Sequence, residues 1–333
     1  MAPLPPSPTL DRCKGAVMAP FALLAGMKLD LFTALAEGPA DAKELAARLG
    51  GASAERLRGL LNGLAAIDIL RAGPDGRFAN SEEAEHYLVR GRPHFIGDQH
   101  KLLEDLWRGA LLAAESIRND KPMAAHDFAH MTPAQVEAFF EGQHPDGLLA
   151  GWKLADAVDF GGYRHLLDVA GGSGGISIAL CERWPGLRAT LLEPPTVLPI
   201  AERRVREAGL DGRIALQAAD VIAAPLAGSF DVAVVRSFLQ VLAPDEAAAA
   251  IRNIRPALAP GASIYVIGQM VDDDRRRPEG SALFDLVFLS FYEGGRVYTE
   301  GEQRAWLAAA GFERIERRLT PNGLNMITAR VPG

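Results

Sequence analysis

The chain has 333 residues, a formal net charge of −7, 48% hydrophobic and 23% charged residues. That balance excludes a largely disordered chain, gives length for about two domains, and lacks the clustered positive charge with which an obligate nucleic-acid binder meets phosphates. Two cysteines, Cys13 and Cys181, cannot make a disulfide framework, which points to a cytoplasmic setting.

The proline-rich first ten residues carry no apolar core of a secretory signal. No stretch of about 18 apolar residues announces a membrane span. Residues 15–35 predict a long helix, apolar on most faces, with a kink at Pro20. A helix of that kind must be covered, and a partner subunit is the expected cover.

Next come two helical stretches around a Gly50–Gly51 turn, then residues 71–78 with a Pro74-Asp75-Gly76 turn. Helix, turn, helix and hairpin make a winged helix, which serves either DNA binding or dimerisation. Residues 28–90 hold eight basic and ten acidic side chains, a poor match to phosphates, so dimerisation is favoured.

Residues 100–160 read as helices. From His165 the texture changes to short apolar strands at 166–170, 188–193, 213–217, 231–235 and 262–268, with two more near 312–317 and 325–331. Helices at 199–208 and 245–258 fall between them. Residues 281–292 predict a buried or pocket-lining helix. The alternation predicts an α/β fold, a Rossmann-like doubly wound sheet of seven strands, preceded by the helical winged-helix domain. Ligands of such sheets sit outside the carboxyl ends of the strands.

The first strand runs into Ala170-Gly171-Gly172-Ser173-Gly174-Gly175 and a helix. Glycines let a ligand approach the backbone, and the helix start offers free N–H groups. Glu193 closes the second strand, where a carboxylate can accept both hydroxyls of a ribose. Asp220 and Val221 follow the third strand, where a carboxylate can take an adenine amine and Val221 offers backbone and an apolar face. Separately, Asp220 could be a turn cap and Glu193 a solvated strand end. A nicotinamide-dependent dehydrogenase fits less well, because the loop lacks the G-x-G-x-x-G spacing.

The motifs LLDVAGGSGG (166–175), LLEPP (191–195), AAD (218–220), VVRSFLQ (234–240) and DDDR (272–275) together resemble the class I S-adenosylmethionine-dependent methyltransferases, and within them the caffeate and hydroxyindole O-methyltransferase family. The resemblance implies a dimerisation domain over 1–100, a methyltransferase domain over 101–333 and a homodimer through the first; from the charge balance and the lack of an apolar span, no nucleic-acid or membrane partner is expected. It implies S-adenosylmethionine as cofactor and S-adenosylhomocysteine as product. It places Gly171 and Gly172 at the methionyl part, Glu193 at the ribose, Asp220 and Val221 at the adenine and Arg236 near the cofactor, with Asp168 supporting the loop. Ala170 replaces the family's first glycine, a position expected to need only an ordinary backbone angle.

The acceptor side departs from the family. Gln240 stands where the family has its histidine base, and Val297 where it has the glutamate that orients that base. Glutamine cannot serve as a base near neutral pH. The coordinated loss points to an acceptor that needs no base. The preferred form is S-methylation of a small thioether acid by proximity and desolvation, as in the methylthiohydroxybutyrate S-methyltransferases of dimethylsulfoniopropionate synthesis. O-methylation of a phenolic or hydroxylated natural product, and a non-methylating hydroxylase or decarboxylase, stay open, as does a winged-helix regulator that senses the cofactor.

Phe140, Gln143 and His144 match the family's segment between cofactor and acceptor. Gln240 and Gln269 follow strand ends, and Phe288, Phe291 and Tyr292 belong to the covering helix. Gln240, His144 and Gln143 are the catalytic candidates. His144 would bind a carboxylate, act as a relocated base, or cap a loop before Pro145. His94, His126 and His130 carry no pattern that assigns them a role. No Cys/His cluster has metal-ligand spacing, and Asp272–Asp274, followed by three arginines, reads as a solvated loop; no metal is expected.

Overall fold

The computed structural model describes residues 4–126 and 131–333; His130 lies outside them. Contacts divide the chain into two compact units, Met1–Glu104 and Asp105–Gly333.

The first unit runs α1 (Pro8–Gly15), α2 (Met18–Lys28), α3 (Leu31–Ala36), α4 (Ala42–Arg48), α5 (Ala54–Ala66), β1 (Leu70–Ala72), β2 (Phe78–Asn80) and α6 (Glu82–Tyr87). The long first helix foreseen over 15–35 is in fact two, α2 and α3, with α1 ending at Gly15. Asp30 adopts a left-handed φ of 51° and separates α2 from α3. Pro20 does not kink a helix; it sits in the first turn of α2, where a backbone N–H has no intrahelical partner to lose. The Asp41 carboxylate accepts from the N–H groups of Lys43 and Glu44, and Glu44 returns a bond to the Asp41 amide, so α4 starts on a capping box. β1 and β2 pair antiparallel, and Ala40 bridges Phe78. Leu31, Phe32, Leu45, Leu61 and Leu64 form the unit's core. α2 contributes little to it: Gly26 and Met27 are its buried residues, while Met18 and Phe21 are 65% and 44% exposed.

α7 (His100–Ala110) leads into the second unit. There follow α8 (Ala113–Asn119), α9 (Pro133–Ala157), β3 (His165–Val169), α10 (Gly175–Arg183), β4 (Arg188–Glu193), α11 (Leu198–Glu207), β5 (Ile214–Ala218), β6 (Phe230–Arg236), α12 (Pro244–Ile254), β7 (Leu258–Ile267), β8 (Met270–Val271), α13 (Glu279–Phe291), β9 (Tyr298–Thr299), α14 (Glu300–Ala309), β10 (Glu313–Leu319) and β11 (Asn325–Arg330). The seven-stranded sheet has the order β10-β11-β7-β6-β3-β4-β5. The strands from β5 to β7 are parallel, and β11 and β10 close the far edge antiparallel. β3 is buried on both faces through Leu166, Leu167 and Val169, as a central parallel strand must be. Strand order reverses between β3 and β6, which fixes the place where a crevice opens.

α9 is held against the start of α10 by small residues. A Cβ on Gly175 would lie 2.6 Å from backbone atoms of Gly147 and Leu148, and one on Gly151 would lie 2.6 Å from the Ala179 methyl. This close approach brings the N-terminal half of α9, with Phe139, Phe140 and Gln143, over the glycine loop. The loop expected before Pro145 does not exist, because α9 continues through Pro145. In Asp272–Asp274, Asp272 pairs with Arg317, Asp273 accepts from the Gly301 amide and Asp274 pairs with Arg276.

Candidate active site at the strand tips

β3 delivers Asp168, 1% exposed, at its carboxyl end. Burial raises its pKa to about 6, against the hydrogen bonds of Ser177 and the charge of Arg236. Oδ2 accepts from the Ser177 hydroxyl at 2.6 Å, so the carboxylate links strand end to α10. It also underlies the loop: a Cβ on Gly171 would come within 2.8 Å of its carboxyl group. Ala170 has φ 52°, so the ordinary backbone angle expected there is not what the chain adopts. The turn that leaves β3 needs the left-handed region, and alanine occupies it at a steric cost.

Gly172, at φ 60°, donates its N–H to Oε1 of Glu193 at 2.6 Å. Glu193 is 7% exposed. Burial raises its pKa to about 7, opposed by the Gly172 bond and helped by nearby Asp168. A buried carboxyl with this one backbone donor retains acceptor capacity for a ligand.

After β5 the Asp220 carboxylate does cap a turn: Oδ1 accepts from the amides of Ile222 and Ala223 at 2.9 and 3.1 Å. The same residue faces a cavity, so the capping and ligand roles are not exclusive. Asn253 of α12, which sequence inspection did not single out, donates from Nδ2 to the carbonyls of Val221 and Ile222, each at 2.9 Å, and pins this turn from behind. β6 ends in Arg236, which pairs with Asp146 of α9. The next residue, Ser237, is again left-handed at φ 51°.

These tips open on a cavity of about 770 Å³. Gly172, Glu193, Asp220, Val221 and Arg236 line one part of it. Phe139, Phe140, Gln143, Phe238, Val241, Tyr292 and His126 are among its other lining residues. Of the expected cofactor residues, Asp168 and Gly171 are not in the lining: Asp168 supports the loop from beneath, and Gly171 is the loop residue packed against its carboxyl group. Phe139 lines it as part of the 139–144 segment that the family resemblance marks as pocket wall, whereas Phe238, Val241 and His126 are lining residues that sequence inspection did not single out.

Several acceptor-side expectations are displaced. Gln240 is not in the lining; it is 4% exposed, and its Nε2 donates to the carbonyl of Gln269 at 3.2 Å. Gly268 makes room for that amide, since a Cβ there would lie 2.0 Å from it. Gln269 turns its own side chain to the Ser281 hydroxyl at 2.7 Å, also away from the cavity. Phe288 packs with Val271 and Val297 in a separate apolar cluster. Phe291 stacks on the His126 ring rather than on the cavity. His144 is behind the glycine loop, where Nδ1 meets the Ser173 hydroxyl at 2.8 Å. Burial, with Arg204 and Arg203, lowers its pKa to about 4, so it is neutral at pH 7 and serves the loop.

The cavity's own histidine is His126. Its Nε2 lies 2.5 Å from Oδ2 of Asp105 on α7, and its Nδ1 lies 3.2 Å from the Tyr292 hydroxyl. The ring stacks on Phe291 with centroids 4.2 Å apart. Positions 105, 126 and 292 belong to three segments, and no local pattern joins them.

Residues 121–313 match the family model of an O-methyltransferase domain, and residues 12–90 that of an O-methyltransferase dimerisation domain. The chain is 34% identical over 316 residues to 3-hydroxy-5-methyl-1-naphthoate 3-O-methyltransferase of Streptomyces sahachiroi, spanning 93% of this chain and 90% of that one. It is 30% identical over 327 residues to acetylserotonin O-methyltransferase of Mus musculus, spanning 90% and 82%. The crystal structure of human N-acetylserotonin methyltransferase in complex with S-adenosylmethionine has the same fold, with a TM-score of 0.83, 22% identity, and coverage of 98% of this chain and 97% of that one.

Proposed function

The chain belongs to the O-methyltransferase family, and from that premise we propose that it methylates a hydroxyl group of a small, flat, largely apolar acceptor. S-adenosylmethionine, the cofactor of this methyltransferase, supplies an electrophilic methyl group on a sulfonium sulfur.

The residues at the strand tips fit that cofactor. The Glu193 carboxyl is buried with room for further donors, as the two hydroxyls of a ribose require. Gly172 leaves open the space that a Cβ would close, 3.0 Å from Gln143 and 3.1 Å from Phe140. Asp220, Val221 and the turn held by Asn253 would receive the adenine, and Arg236, fixed by Asp146, would flank the methionyl part. Asp168 would hold the loop from below.

The observation that carries the acceptor class is the continuity of the cavity from Glu193 to the aromatic wall of Phe139, Phe140, Phe238 and Tyr292. Such walls bind a flat apolar body and exclude water from the reacting atoms. The first unit would pair two copies, with the exposed apolar residues of α2 covered by the partner.

A second acceptor class rests on Gln240 and Val297. Neither can take a proton, and a thioether acid would need no base. Formation of S-adenosylhomocysteine, followed with a hydroxynaphthoate, a methylthio-substituted hydroxy acid and an aromatic amine, separates the classes. Turnover of the hydroxynaphthoate is expected. Turnover of the thioether alone would replace the hydroxyl reading, and product without the donor's methyl group would replace methyl transfer itself.

A further inference from the structure

Methyl transfer to a hydroxyl requires that a proton leave the oxygen, and a phenol with a pKa of about 10 keeps it at neutral pH. Gln240 and Val297 cannot take it. Resting on the hydroxyl reading above, we propose that His126 is the catalytic base, that Asp105 is its positioning residue, and that Tyr292 carries the proton between acceptor and ring.

The geometry has the parts of an oriented base. Asp105 Oδ2, 2.5 Å from Nε2, keeps the ring proton on Nε2 and leaves the Nδ1 lone pair toward the cavity side. Tyr292, which lines the cavity, holds its hydroxyl 3.2 Å from Nδ1, where in that tautomer it donates to the lone pair. The ring is fixed between Phe291, stacked at 4.2 Å, and Phe139, edge-on at 4.7 Å. Its side chain is 4% exposed. Among the described residues, the titratable groups facing the ring are Asp105 from α7 and Tyr292 at the end of α13; α9 and α13 otherwise present Phe139 and Phe291.

The proton balance is simple. The acceptor O–H bond breaks and its proton passes to the Tyr292 oxygen, while the tyrosine's own proton passes to Nδ1. Tyr292 ends as it began. The ring becomes an imidazolium set against the Asp105 carboxylate, the acceptor is left as an oxyanion, and the ring returns its proton to water after turnover. Tyr292 is not itself the base, because burial and the nearby Asp105 charge raise its pKa further above neutrality. A carboxylate anchor is the competing role for His126, but Asp105 already neutralises a protonated ring.

The test uses the full chain with its donor and two acceptors: a hydroxynaphthoate, and a nitro-substituted analogue ionised at neutral pH. His126→Gln is expected to lower kcat on the first by about 100-fold or more and to abolish the rise of activity with pH. On the pre-ionised analogue it should stay within about threefold of wild type, the size of effect left when no proton needs removal. Asp105→Asn should shift the ring proton from Nε2, read by ¹⁵N chemical shifts without acceptor, with unchanged donor affinity by calorimetry. Equal losses on both acceptors, an unchanged pH limb, or a ring tautomer indifferent to Asp105→Asn would overturn the assignment. Hydroxynaphthoate turnover unimpaired in His126→Gln overturns the base alone. Wild-type turnover of thioethers alone overturns the base together with the hydroxyl reading.

Discussion

The backbone N–H of Gly172 donates to Oε1 of Glu193 over 2.6 Å, tying the glycine loop after β3 to the tip of β4. The acceptor carboxyl is buried, and its pKa rises from 4.5 to about 7. The folded chain therefore holds a proton between those values that the unfolded chain has already lost. Its contribution to stability is complete below pH 4.5 and disappears as pH rises through about 7, a change of about 3 kcal/mol. Asp168, raised from 3.8 to about 6, acts in the same direction. Urea unfolding of the donor-free protein should show stability falling across this window, with a shallower fall in Glu193→Gln. Donor affinity, which uses the ionised carboxylate, should rise across the same window.

Gly175→Ala puts a methyl 2.6 Å from the backbone of Gly147 and Leu148, where no flexible side chain can yield. A loss of about 2 kcal/mol in stability is expected. Because α9 also carries Phe140 and Gln143 into the cavity, donor affinity should fall with it. Calorimetry and urea denaturation on the same preparation measure both.

Asn253→Ala removes two buried hydrogen bonds, to the carbonyls of Val221 and Ile222. Leaving those carbonyls unpaired should cost about 2 kcal/mol of stability. The turn that carries Asp220 loosens with them, so donor binding should weaken although Asn253 does not line the cavity. Unchanged donor affinity would show that the turn holds its shape unaided.

Ala170 occupies a left-handed conformation at the end of β3. Ala170→Gly relieves that strain but loosens the unfolded chain, so stability should change by less than about 1 kcal/mol. Ala170→Val adds a branched side chain to the same backbone angle and should cost about 2 kcal/mol. The ordering Gly ≥ Ala > Val in thermal unfolding checks the conformation.

Phe21→Glu places a charge on the exposed apolar side of α2, 44% exposed within the chain. If that surface is the homodimer contact, sedimentation should find a monomer whose helical circular dichroism is retained. A dimer that survives this change and Met18→Lys would move the contact elsewhere.

The sequence determined the alternation of strands and helices, the glycine loop, and the carboxylates at 168, 193 and 220, because those signals are local: an apolar run, its turn residues and the strand end that follows. It could not show that Asp30 divides the first apolar stretch, that Ala170 is left-handed, or that α9 runs through Pro145, since each depends on what packs against the backbone. The acceptor side was legible only in part: Phe140, Gln143 and Tyr292 do line the cavity, and the rest was decided by tertiary structure. Gln240, His144, Gln269 and Phe288 stand at plausible positions along the chain, yet packing turns each away from the cavity. His126 comes into it beside Asp105 and Tyr292 because three segments distant in sequence converge, and no periodicity within any one of them records that meeting.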